Sequence, residues 1–467
     1  MARFVFLLCA LLSFSTNVFS QLTTFSGVDS LYAGKKLQFI TITNGIVNTE
    51  SVVAEVVCDN NGAFNCSVDI DQAKEEFFRV GQLEVYFTAS PNKDYKLLLP
   101  PLIEISDQDR FNPFFEYKRM FARFINPDNY LLNNIVNKFD HRFLQVYAEC
   151  TLALKEHQPL SAISRKIDNL NNEFEGYNYK YFTLLKLSKI TLLKYKFKCE
   201  NYKNNTLAVL KLYNEGVKNI GYGELLNCYI DNILNSSVSK LNKEIRYSFW
   251  NKEGVSKLLT IANKEFECDF LAELFLVKAI AYYSVYDELD FNYLVNLLLE
   301  IKQISKIDIN SQICDEQYSY LTYLHKGFDV PSIILEDKNG KTVNIDDYKG
   351  KYVLVGFCTT YGTSVYNELK TLRNFYGKFT RNLNVVIVFN QEDKDFIASW
   401  DDTIHERWDI LFSDKDKKIV SDFKIKVFPT FYLIDREGKM LLSPTPYMSE
   451  GFESAMYNIL RSEKRGR

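Results

Sequence analysis

Cysteine is the residue whose spacing says most about chemistry in this chain. Nine cysteines occur among 467 residues, and no two stand in a Cys-x-x-Cys pair. No Cys/His cluster has zinc spacing, and His141, His157, His325 and His405 are too scattered to form a metal site. Neither a metal nor a cofactor is expected. Cys58 and Cys66 lie symmetrically about Gly62 and flank Asp59-Asn60-Asn61-Gly62, a turn signal between two strand-like runs. An odd-residue hairpin loop would set the two opposite each other, and a disulfide there would contribute about 2–3 kcal/mol by loop-closure entropy. The alternative is two small buried residues on one sheet face, because a register change of one residue removes the pairing. Cys150, Cys199, Cys228, Cys268 and Cys314 fall in helical patterns and are expected to be plain core residues. Cys358 follows a strand-like run. Ser364 and Thr363 stand where a helix begins. With no histidine near enough in sequence to activate Ser364, these two read as N-cap residues.

The elements that must carry these side chains fall into three regions behind a targeting segment. Arg3, the apolar run Phe4–Leu12 and small or polar residues up to Ser20 have the form of a secretory signal, residues 1–20, with Gln21 as the new N-terminus. The run is too short to span a membrane, and no later stretch approaches the roughly 20 apolar residues required. The expected product is exported, to the periplasm or cell envelope. Lys+Arg number 56 and Asp+Glu 59, and this balance argues against a nucleic-acid partner.

Residues 21–104 read as strands, for example Lys36–Ile42 and Leu83–Ala89, and predict an antiparallel β-sandwich that ends at Pro100-Pro101. Residues 105–327 read as an all-α region. Ile135, Val136, Phe139 and Phe143 share one helical face, as do Leu294, Leu297, Leu298 and Ile301, while Phe270–Tyr286 is apolar on most sides. From 328 to 467, short apolar runs alternate with helical stretches, which predicts an α/β domain whose sheet is covered on both faces.

This last region carries two ordered motifs. Asp337-Lys338-Asn339-Gly340-Lys341 and Asp347-Tyr348-Lys349-Gly350-Lys351 lead into Tyr352–Phe357, and Val427-Phe428-Pro429-Thr430-Phe431-Tyr432-Leu433-Ile434-Asp435 leads to Gly438-Lys439. The region resembles exported thioredoxin-like proteins of the TlpA/ResA type, in the redoxin superfamily. The resemblance implies that Gly362 stands at the nucleophilic cysteine position and Val365 at the resolving one. Cys358 then falls on a tryptophan position of the family. Disulfide exchange needs a thiolate at a helix N-terminus and a second thiol to resolve the mixed disulfide. Glycine and valine supply neither. The family's cis-proline corresponds to Pro429, and backbone beside it, at Phe428 and Thr430, would pair with an extended substrate segment.

Three readings follow. The first is a redox-inactive thioredoxin-like module that binds protein or extended peptide. The second is a residual monothiol enzyme using Cys358. The third is a scaffold whose function lies in the β and helical regions.

Overall fold

The computed structural model describes residues 22–43, 50–105, 115–125, 131–397, 405–413 and 418–465. The expected signal, residues 1–20, lies outside them. The described residues divide into two compact units. One contains residues up to Glu104 together with Tyr117–Asp231, and the other is chiefly Asn232–Arg467. Among the described residues no helix is long and apolar enough to cross a membrane.

In the first unit, alternating apolar and polar residues build β1 (Thr23–Val28), β2 (Lys36–Ile42), β3 (Glu50–Val57), β4 (Ala63–Val68), β5 (Lys74–Val80), β6 (Leu83–Ala89), β7 (Asp94–Leu98), β8 (Lys118–Phe121) and β9 (Arg123–Phe124). They form two sheets, ordered β4-β1-β7-β9 and β3-β2-β5-β6-β8. Phe25 of one sheet stacks on Phe39 of the other with centroids 5.0 Å apart, so the inner faces share a single core.

This sandwich departs from expectation in three ways. Its β1–β7 and β6–β8 pairs are parallel, because long excursions through other strands separate these partners in sequence. The sheets also continue past Pro100-Pro101 to Phe124, and among the described residues the first α-helix is Leu131–Lys155. The prolines end a strand, but the chain then re-enters both sheets. Finally, the Cys58–Cys66 hairpin is not formed. β3 pairs with β2 and β4 with β1, so the turn carries the chain from one sheet to the other. Asp59 Oδ1 shapes that turn by accepting from the N–H groups of Asn61 (2.8 Å) and Ala63 (2.9 Å). Both thiols are free. Turn residues mark a chain reversal, but they do not decide whether the flanking strands share a sheet.

Six helices follow: α1 (Leu131–Lys155), α2 (Leu160–Glu173), α3 (Lys180–Lys196), α4 (Tyr202–Leu210), α5 (Tyr213–Gly216) and α6 (Ile220–Leu234). The stripe of α1 is buried at Ile135, Val136, Phe139 and Phe143. Asn133 docks this helix on β6. Its Nδ2 donates to Thr88 O at 2.8 Å and its Oδ1 accepts from Thr88 N at 2.7 Å, as a neighbouring strand would.

The second unit opens with α7 (Lys240–Trp250), α8 (Val255–Phe266), α9 (Asp269–Tyr283), α10 (Phe291–Ile304) and α11 (Asp308–Thr322). As its apolar sequence requires, α9 is buried on nearly every side. Even Glu273 lies inside, where it accepts from Ser305 Oγ at 2.7 Å and Asn310 Nδ2 at 2.6 Å.

A seven-stranded sheet completes the unit. It comprises β10 (Ile334–Asp337), β11 (Thr342–Asn344), β12 (Tyr352–Phe357), β13 (Leu383–Phe389), β14 (Asp409–Phe412), β15 (Thr430–Ile434) and β16 (Met440–Leu442), ordered β11-β10-β14-β13-β12-β15-β16. Its helices are α12 (Thr363–Tyr376), α13 (Lys394–Ile397), α14 (Lys418–Asp422) and α15 (Phe452–Arg465). Along β12, Leu354 packs with Leu369 and Phe452, whereas Val353, Val355 and Phe357 pack with Ile419 and Phe423. Both faces are therefore covered, and the central strands read as unbroken apolar runs for that reason.

Candidate functional site

The central strand β12 runs parallel to β13 and antiparallel to β15. The loop that leaves its C-terminal end leads into α12. Cys358 extends the ladder by one residue, its N–H donating to Val388 O at 2.9 Å. Its side chain is completely buried, in one cluster with Leu369 and Val365. Burial pushes this thiol well above the ordinary range, and the Asp393 carboxylate adds to the effect. The thiolate is the reactive form, so the position disfavours thiol chemistry.

Beyond Cys358 the loop is tied inward. Asp393, 2% exposed, accepts at Oδ1 from the Thr360 N–H at 3.3 Å and from the Thr360 hydroxyl. Thr359 Oγ accepts from the Tyr361 N–H at 3.3 Å. These bonds leave the Tyr361 ring 78% exposed at the loop's crest. Gly362 follows with φ +104°, a conformation that side-chain-bearing residues rarely adopt. It is the residue before α12 and caps the helix with no side chain. The capping expected of Ser364 and Thr363 is not made. Both lie exposed in the first helical turn, because Gly362 already occupies the non-helical position before it.

Val365 is 1% exposed. The two positions of interest therefore differ in kind: Gly362 faces solvent and Val365 is core. Three residues on, Glu368 is 7% exposed and accepts from Ser449 Oγ at 2.5 Å and Ser449 N at 3.2 Å. Sequence reasoning missed this carboxylate. The available signal was an acidic residue set within the apolar stripe Val365, Leu369 and Leu372.

Opposite the loop, β15 begins at Thr430, which pairs with Phe357. One further step of that register would set Pro429 beside Cys358. The Phe428–Pro429 bond is cis. Pro429 is buried and Phe428 half-buried, and Phe428 packs on the clusters of both sheet faces. Thr430 Oγ donates to Val427 O at 2.7 Å, and the Val427 side chain is 45% exposed. The structure thus groups Cys358 and Val365 in one core cluster and sets Phe428, Pro429 and Thr430 at the start of the adjacent strand. Cys58 and Cys66, in the first unit, play no part here. Among the described residues no group of three or more His, Cys, Asp or Glu side chains could hold a metal ion.

Residues 327–442 match the AhpC/TSA family. The C-terminal region is an AhpC/TSA (redoxin) domain with a thioredoxin-like α/β fold, within a multidomain chain whose other regions are β-rich and helical. Thiol-disulfide oxidoreductase ResA of Bacillus subtilis strain 168 is 27% identical over 139 residues, which cover 30% of this chain and 77% of that protein. Thioredoxin-like protein YneN of the same organism is 26% identical over 118 residues, covering 25% of this chain and 68% of that protein. The crystallised thioredoxin domain of a thiol-disulfide oxidoreductase from Bacteroides vulgatus is 27% identical, with a TM-score of 0.25, and the match covers 28% of this chain and 96% of that one.

Proposed function

We propose that the C-terminal domain is a redox-inactive thioredoxin-like module that holds an extended protein or peptide segment in the cell envelope, at Phe428, Pro429 and Thr430. One observation carries this reading. Gly362 and Val365 occupy the start of α12, where disulfide exchange needs two sulfurs, while the nearest thiol, Cys358, is fully buried. Support for binding comes from Pro429, which stands immediately before β15 beside the loop, and from exposed Tyr361 and Val427, which offer apolar surface. The N-terminal run Phe4–Leu12 supports export.

The test uses the full exported chain. It should show no insulin-disulfide reductase activity. A photo-crosslinking residue at Tyr361 should form adducts with envelope proteins, and Val427→Glu should reduce them. Reductase turnover that Cys358→Ala abolishes would establish the monothiol reading instead. Absence of adducts at 361 would overturn the binding site.

A further inference from the structure

At the end of the C-terminal sheet opposite the Tyr361 loop, one arginine gathers four segments of chain. Arg436 lies in the turn after β15, and its Nε is 2.9 Å from Glu463 Oε1 on α15. Its Nη1 donates to Gly350 O at 3.0 Å, just before β12, and its Nη2 to Asn382 Oδ1 at 3.2 Å, just before β13. These bonds bring the chain neighbours of each partner to the same end. Lys351 follows Gly350, Arg381 precedes Asn382, and Lys464 and Arg465 follow Glu463. One turn back on α15, Arg461 shares a helical face with Lys464 and Arg465.

Most carboxylates at this end are already engaged. Glu463 is held by Arg436, Glu453 has Lys378 Nζ at 2.7 Å, and Asp346 has Lys349 Nζ at 2.8 Å. Asp435 accepts from the turn N–H groups of Glu437 at 2.9 Å and Lys439 at 2.8 Å. The cations are not engaged in the same way. Exposed Arg381, Arg461, Lys464 and Arg465, and half-buried Lys351, have no carboxylate within 4 Å among the described residues. They outnumber Asp347 and Glu437, the exposed carboxylates here with no cation that close. The surface is therefore locally positive in a chain whose formal net charge is −3. A helix C-terminus favours cations, which accounts for Lys464 and Arg465 but not for Arg381 or Lys351, each just before a strand. Exposed Tyr457, edge-on to Phe379 with centroids 5.0 Å apart, stands one turn before Arg461 and adds an amphipathic ring of the kind found at headgroup level. Cations drawn from three segments around a paired hub suit a diffuse negative surface better than a single anion.

We infer that this end of the C-terminal domain docks on an anionic lipid surface, with Arg381, Lys464 and Arg465 against the phosphate headgroups and Tyr457 beside them. The inference takes the expected export as its setting and does not depend on the peptide site. The six residues of β12, at about 3.3 Å each, separate the Arg436 end from the Tyr361 loop by about 20 Å. A domain held this way turns that loop away from the bilayer.

The probes are vesicles of phosphatidylcholine alone and of phosphatidylcholine with about 30% phosphatidylglycerol, sedimented with the full exported chain. At about 0.1 M salt the chain should bind the anionic vesicles and not the neutral ones, and about 1 M salt, which cuts the reach of charge to about 3 Å, should release it. Arg381→Gln, Lys464→Gln and Arg465→Gln should each weaken binding about fivefold. Lys203→Gln, an exposed lysine on α4 in the first unit, should leave it unchanged. Arg381, Lys464 and Arg465 are exposed and unpaired, so their replacement leaves the fold intact. Equal binding to both vesicles, binding to neither, or the same loss from Lys203→Gln would overturn the inference. Release by inorganic phosphate on the order of 10 mM would overturn it in favour of a single-anion site. Binding to polyglutamate but not to anionic vesicles would overturn it in favour of an acidic protein partner.

Discussion

Gly362 shows how much one residue can fix. A Cβ at this position would meet no atom within 4 Å, so space is not the constraint; the φ of +104° is. Gly362→Ala should therefore destabilise the domain by about 1–3 kcal/mol with no steric clash, read from urea denaturation. A fully stable alanine variant would mean that the loop has a second, ordinary conformation. Glu76 makes a different kind of point. Its side chain is fully buried, and its charge partner is Lys74, whose Nζ lies 3.2 Å from Oε1. Burial is the main cause that pushes this carboxyl up to about 7, from an ordinary 4.5. The folded chain thus holds a proton that the unfolded chain releases earlier. The contribution of Glu76 is complete below about 4.5 and is lost as pH rises through about 7. Glu76→Gln should remove that part of the pH dependence, up to about 3 kcal/mol between the two limits. Parallel stability profiles for the wild type and Glu76→Gln would show that folding leaves the Glu76 carboxyl's titration unchanged.

At the scale of elements, side chains that imitate backbone tie helix to sheet. Asn133 gives β6 the two hydrogen bonds of a missing neighbour, so Asn133→Leu leaves the N–H and C=O of Thr88 buried and unpaired. The expected loss is about 2–5 kcal/mol, measured by chemical denaturation, with Asn133→Gln rescuing little because its amide sits one methylene too far out. Such a contact could not be read from the sequence, where Asn133 is one polar residue beside an apolar stripe. The stripes themselves were legible: Phe139 and Phe143 on α1, Leu294 and Leu298 on α10, and nearly all of α9 follow from periodicity alone. So do the core strands of the C-terminal sheet, because strands covered on both faces must be apolar throughout. Pairing between strands distant in sequence was not legible. That is why β8 and β9 were missed beyond Pro100-Pro101 and why Cys58 and Cys66 seemed to share a hairpin. At the site, motifs bracket Gly362, Val365 and Pro429 in the sequence, which is what drew attention to them. Asp393 and Glu368 were not legible, because each acts through a tertiary hydrogen bond.

Over the whole molecule, the second unit does not begin where the redoxin match does. Leu324 sits in the same core as Val355 and Phe423. Gly327 N donates to Met440 O at 2.7 Å, and Lys424 Nζ lies 4.6 Å from the Tyr323 ring. A fragment cut at Phe328 loses Leu324, whose burial contributes about 1.5–3 kcal/mol, together with these contacts. A fragment of residues 232–467 should unfold cooperatively and at a higher midpoint than one of 328–467. Equal midpoints in calorimetry would mean that the helices α7–α11 form a separate folding unit.

The chain-crossing turn at Asp59–Gly62 has one more consequence, for biogenesis. Because it sends β3 and β4 to different sheets, it leaves Cys58 and Cys66 outside any disulfide, and none of the other six described cysteines is in one. Were the chain exported into an oxidising compartment, its described cysteines would have no correct bridge to find, and every bridge among them formed before collapse would be a dead end. Productive maturation there would be a race in which burial must outrun the oxidant. Refolding yield from denaturant should accordingly rise with added reductant, the reverse of what a disulfide-stapled secreted protein shows.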